Sequence, residues 1–220
     1  MSEILYIMQK EYWEIKSMGK KELIMIFIVS FLPLILLFKC PHSLLPKNTL
    51  AIFFPLVVSF AISGQLGFYS ILKEKKEKTL EVLLCSKVSI FSIVLGKILL
   101  PAIIGYVLSI FSIVCLKFGL LFINPADRVK INDLVLLFSI IISYAGCSVS
   151  MLSTLLFPDE KVAPIISGIF MFVLAIIIYE ISKIFGFSIF ITFCCLISIC
   201  IISTFIDVWI LKNRKSFIFN

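Results

Sequence analysis

Histidine occurs once in the 220 residues, tryptophan twice, and charged residues make up only 15% of the chain. Each scarcity excludes a class of chemistry. The lone histidine, His42, stands in CPHSLLPKN between Pro41 and Pro46. That is a loop setting, with no second histidine for an HExxH zinc site or for pairing with a nucleophile and its orienting acid. No paired aspartates stand in its place. A P-loop needs G-x-x-x-x-G-K-[ST], so that backbone amides cradle phosphate while Lys and a hydroxyl complete the site. Gly96-Lys97 is followed by Ile98 and has Phe91 where the first glycine belongs, and Gly19-Lys20 fails in the same way with Glu14. The chain is therefore expected to be no enzyme and to carry no cofactor or metal of its own.

The first 20 residues also lack the basic start, short apolar region and small-residue cleavage site of a signal peptide. The N-terminus is expected to be retained. Cysteines number seven, Cys40, Cys85, Cys115, Cys147, Cys194, Cys195 and Cys200. An odd count lying mostly inside apolar runs argues against a disulfide framework and for small packing residues.

What fills the chain instead is apolar surface, at 61% hydrophobic residues. A helix needs about 20 apolar residues to cross the hydrocarbon core. Runs of that kind fall at 22–38, 50–72, 88–116, 133–157, 162–179 and 187–211. The expected fold is all-α, a polytopic membrane protein with six transmembrane helices forming a single transmembrane domain over 1–220. Only Glu180, Ser182, Lys183 and Gly186 interrupt the last two runs, so five spans with one re-entrant segment is the alternative. Pro101 with Gly105 marks a place where the third span can bend.

Lys and Arg concentrate in loops that stay in the cytoplasm. With the N-terminus inside, the inner segments hold thirteen of them and the outer segments six, leaving Lys97 inside a span. Both termini are then cytoplasmic. The net charge of +7 follows from that asymmetry and from attraction to anionic membrane lipid, without any nucleic-acid partner. Within 1–21, Leu5, Met8, Tyr12 and Ile15 recur at helical spacing, with Lys10, Glu14 and Ser17 roughly opposite. This reads as an amphipathic helix on the inner membrane surface, with Tyr6, Tyr12 and Trp13 at headgroup level.

Charges inside the runs are few, and each is a functional hypothesis. Lys97, Glu180 and Asp207 are expected to pair or to sit at the interface. Small residues recur at Ser59, Ser63 and Gly67 and again at Ser139, Ser143, Cys147 and Ser150, a spacing that lets helices approach closely.

Between the second and third runs lies LKEKKEKTLEVLLCSKVS, the charged segment 73–87 with an apolar patch of Leu80, Leu83 and Leu84 beside Glu81. So short a helix is marginal alone, and its patch suits the membrane surface or a groove on a partner. The segment, together with IVLGKIL opening the next run, resembles the central motif of the type-2 ATP-binding-cassette exporter permeases. The resemblance is specific over 71–101, and the six-span plan is similar over nearly the whole chain. It implies that the segment is a coupling helix inserted into a separate ATPase subunit, with Glu77, Thr79, Leu80, Glu81, Leu83, Leu84 and Ser86 at the contact and Gly96 and Lys97 completing the motif. The family commonly has Gly where Lys78 stands and Pro where Lys87 stands. It also folds an outer hairpin between its last two spans, for which this chain leaves little room.

What the resemblance implies is a permease subunit of an ATP-driven exporter. Its partners are an ATPase subunit that carries ATP and Mg, and a second permease copy or a paralogue. The location is a prokaryotic cytoplasmic membrane. The cargo is lipophilic, peptide or drug-like. Two other readings stand beside it, a substrate-binding membrane subunit of an importer and a membrane scaffold that does not transport.

Overall fold

A computed structural model describes residues 3–19, 24, 28, 47–123, 133–157, 162, 165–166, 168–169 and 189–219. The elements are helices throughout: α1 (Glu3–Lys16), α2 (Lys47–Lys76), α3 (Thr79–Cys85), α4 (Ile90–Ile123), α5 (Asp133–Leu156) and α6 (Ile189–Phe219). The spans expected at 22–38 and 162–179 lie outside the described residues, isolated positions aside, as do His42 and Glu180.

Four stretches are long and apolar enough to cross a membrane, Pro55–Lys76, Ile90–Leu116, Val135–Leu156 and Phe193–Asn213. The chain is a multi-pass helical membrane protein. In hydrocarbon a helix satisfies its own backbone donors and acceptors, which is why these apolar runs are helical from end to end. α4 stays one helix through Pro101. α5 lies at the centre, packed by α2, α4 and α6, and residues 145–155 are buried without a break. Outward faces of α4 and α6 carry exposed Ile103, Val107, Phe111, Ile202, Phe205 and Trp209, the pattern of a lipid-facing surface.

The two small-residue seams meet. A methyl group at Gly67 would fall 2.6 Å from Cys147 Sγ, so α2 and α5 approach as closely as backbone allows. Ser143 Oγ donates to the Ala102 carbonyl of α4 at 2.6 Å, and the Ser148 and Ser203 hydroxyls join α5 to α6 at 2.8 Å. Ser59, Ser63 and Ser139 hydroxyls bond to carbonyls of their own helices. Each of these hydroxyls thus has a partner within the bundle.

The charged run does not begin as a loop. Lys73, Glu74, Lys75 and Lys76 form the last turn of α2, since Glu and Lys are good helix formers. Only Glu77 and Lys78 then separate α2 from α3. The reversal is made at Lys78, which takes φ 56° and ψ 16° and is the one non-glycine residue with positive φ among those described. α3 ends where Ser86 Oγ donates to the Leu83 carbonyl at 2.7 Å. Ser89 then caps α4, its Oγ accepting from the Ser92 N–H at 3.1 Å.

Candidate functional site

Seven residues into α4, Lys97 is 2% exposed. Its ammonium donates to Glu11 Oε1 at 2.5 Å and to Ser70 Oγ at 3.0 Å, and lies 2.9 Å from Glu74 Oε2. Glu74 Oε1 in turn accepts from Lys10, which stands 3.2 Å from Glu14. Five charged side chains from α1, α2 and α4 thus alternate in sign along one path. Glu11 and Glu74 are as buried as Lys97, and at such depth each charge is tolerable only because the others face it.

Local sequence brings these groups together. Glu74 lies one turn beyond Ser70 on α2. Glu11 lies one turn beyond Ile7 on α1, and Ile7 seats against Gly96, where a methyl group would fall 2.6 Å from Ile7 Cβ. Gly96 therefore admits α1, and Lys97 fastens it. At the start of α1, Glu3 Oε2 accepts from the Ser89 N–H at 3.1 Å, a carboxylate at a helix N-terminus. That N–H, aided by the Ser92 and Ser89 hydroxyls, holds the Glu3 carboxyl below its ordinary range. At the other end Lys73 Nζ donates to Ser17 Oγ at 3.3 Å. Burial pushes the Glu14 carboxyl up, with the Glu11 charge adding and Lys10 and Lys97 opposing.

The face of α1 buried within the chain runs through Ile7 and Glu11 and is continued by Met18. Leu5 and Tyr12 are exposed together with Tyr6 and Trp13, while Met8 and Ile15 are half-buried. Glu11 thus faces inward, onto the buried Lys97 ammonium of α4.

The expected coupling residues divide in two. Leu80 and Leu84, 4% and 1% exposed, sit in a core cluster with Ile71, Val94, Ile98, Met151 and Leu211. The apolar patch of α3 thus faces the chain's own bundle. Glu77 and Glu81 are exposed, and Thr79, Leu83 and Ser86 are half-buried. Around them Lys78, Val82, Cys85 and Lys87 are exposed as well, Val82 at 71%. Lys75 pins the far side by donating to the Thr154 carbonyl at the end of α5.

Glu11, Glu74, Lys10 and Ser70 were not legible as site residues in the sequence. The one available signal was Lys97, a lone charge in an apolar run that required a partner. Oxygens of Glu11, Glu14 and Glu74 lie within 4.8 Å of one another, a spacing a cation can bridge, but Lys10 and Lys97 already answer their charge. Asp207, expected to pair or to lie at the interface, is instead fully buried on α6, with no hydrogen-bond partner for either carboxylate oxygen among the described residues. No protein-family model matches the chain, and no curated protein matches it either.

Proposed function

We propose that this chain is the permease subunit of an ATP-driven exporter of the type-2 ATP-binding-cassette class, and that α3 is the helix through which a cytoplasmic ATPase subunit moves it. The observation that carries the reading is the two-sided character of α3. Leu80 and Leu84 lock it to residues of α4, α5 and α6, while Glu81, Val82 and Cys85 point away from the bundle. A push on that outer face reaches three long helices through packed side chains, which transmit displacement because interiors are dense.

The buried ion network supports the same reading, because it ties the end of α2 to α4 and α1 and makes the two helices flanking α3 move together. The excess of Lys and Arg on one side orients α3 and both termini toward the cytoplasm. ATP and Mg belong to the ATPase, and a second permease, identical or related, completes the path. The cargo is lipophilic, peptide or drug-like.

Reconstitution with a candidate ATPase in liposomes tests this. Val82→Glu and Glu81→Lys should lower permease-stimulated ATP hydrolysis about tenfold, the scale of losing one or two central contacts, with the chain still folded. Unchanged hydrolysis in both variants would reject α3 as the contact. Association without ATP-dependent flux would instead favour a scaffold.

A further inference from the structure

Asp207 is a buried acid that the ion network does not use. Neither of its carboxylate oxygens has a hydrogen-bond partner among the described residues, and the residue is 0% exposed. The hydroxyls next to it on α6 are committed elsewhere. Ser203 Oγ bonds to the Cys200 carbonyl and to Ser148, and Thr204 Oγ1 bonds to the Cys200 and Ile201 carbonyls. Lys97, whose carbonyl Cys147 Sγ contacts at 3.8 Å, has its ammonium occupied by Glu11, Glu74 and Ser70.

One turn before Asp207, an open groove of 280 Å³ runs between α5 and α6, walled by Ile140, Ile141, Ile197 and Ile201 with Tyr144 and Thr204. Cys200 and Thr204 line the groove, and Asp207 follows them at i+7 and i+3 on the same face of α6, so the carboxylate lies just beyond the groove's end. An unanswered carboxylate in a membrane span is costly. An occupant that answers it must bring positive charge and N–H donors. An occupant that fills the groove must bring an apolar body. An inorganic cation brings the charge but neither N–H donors nor an apolar body, and the isoleucine walls offer it no oxygen ligands.

We propose that Asp207 and the α5–α6 groove form a binding site for lipophilic organic ammonium ions, the alkyl body lying along the isoleucines and the ammonium reaching Asp207 past Tyr144. This rests on the export reading only in naming the class of cargo, because binding itself needs no ATPase. A free amine and an aminolipid headgroup share the recognised chemistry.

The test uses the full chain in phosphatidylcholine nanodiscs with radiolabelled octylammonium, read by scintillation proximity against empty discs. Saturable binding near one probe per chain is expected, competed by unlabelled octylammonium and not by octanol. It should weaken at least tenfold in Asp207→Asn and, by filling the groove, in Ile201→Trp. Thermal unfolding of both variants is followed in parallel, and either one that remains folded decides the matter. Discs containing phosphatidylethanolamine separate the two sources. Loss of probe binding there assigns the site to the lipid, and retention assigns it to the free amine. Absence of saturable binding, equal competition by octanol, or full binding by a folded variant would overturn the proposal. If such a result came with intact ATPase coupling, it would remove only this site. Saturable, variant-sensitive binding by a chain that couples to no ATPase in the liposome assay would remove only the export reading.

Discussion

Lys97 shows how one residue sets the terms for others distant in sequence. A lone ammonium in an apolar run demands a counter-charge, and the fold supplies it from Glu11 and Glu74, on two other helices. Lys97→Met leaves two buried carboxylates facing each other and should cost about 3–5 kcal/mol, the range for breaking a buried ion pair. Adding Glu11→Leu and Glu74→Gln should restore much of that, because a neutral replacement of all three groups leaves no buried charge stranded. Unfolding in micelles measures both, and equal losses in the single and triple variants would contradict the network. Lys78, at φ 56°, pays a conformational cost that glycine does not. Lys78→Gly should therefore be neutral or more stable by up to about 1 kcal/mol, in the same assay. The sequence announced Lys97 as a group needing a partner. It did not announce Glu11 or Glu74, because periodicity places acids outward and cannot see a cation 86 residues away.

Among the elements, α1 and α3 each pack a face on the bundle that their local patterns leave undetermined. α1 packs Ile7 and Glu11 inward and leaves Leu5 and Tyr12 exposed, so the apolar spacing of Leu5, Met8, Tyr12 and Ile15 does not mark the face that meets the bundle. α3 spends its leucines on its own bundle. In both cases the local pattern was legible and the surface it would meet was not. Gly96→Leu should dislodge α1, at about 1–3 kcal/mol for an overpacked contact. An Ile7→Cys reporter, fully buried at rest, should then label with a maleimide as readily as an exposed thiol. Continued protection of that cysteine would place the α1 contact elsewhere. The attachment of α1 should also depend on pH in two opposed ways. Glu14 has a raised carboxyl, so its contribution is complete below the ordinary 4.5 and is lost as pH rises through the raised value. Glu14→Gln should accordingly stabilise the chain at neutral pH and lose that advantage in acid. Glu3 has a lowered carboxyl, so its contribution is present above 4.5 and is lost as pH falls through the lowered value. Glu3→Gln should weaken α1 at neutral pH and make no difference in strong acid. Thermal melts of the two variants across pH 3 to 8, on the order of the carboxylate range, read both signs.

At the scale of the whole molecule, hydropathy carried most of what the sequence told. Runs at 50–72, 88–116, 133–157 and 187–211 correspond to α2, α4, α5 and α6. α2, α4 and α6 continue past the C-terminal ends of their runs, α2 because lysine and glutamate extend a helix as well as leucine does. The small-residue seams marked faces fit for close approach, and the faces of α2 and α5 that carry them meet each other. The central claim is that the outward face of α3 is where an ATPase grips this bundle. The most direct measurement is photo-crosslinking in intact cells from a photoreactive amino acid at Val82, with one at Phe205 on the lipid-facing side of α6 as reference. The account predicts a covalent adduct between the chain and a nucleotide-binding subunit from Val82, altered in yield when ATP is depleted, and none from Phe205. A Val82 probe that captures only lipid, or only proteins on the outer side of the membrane, would contradict it.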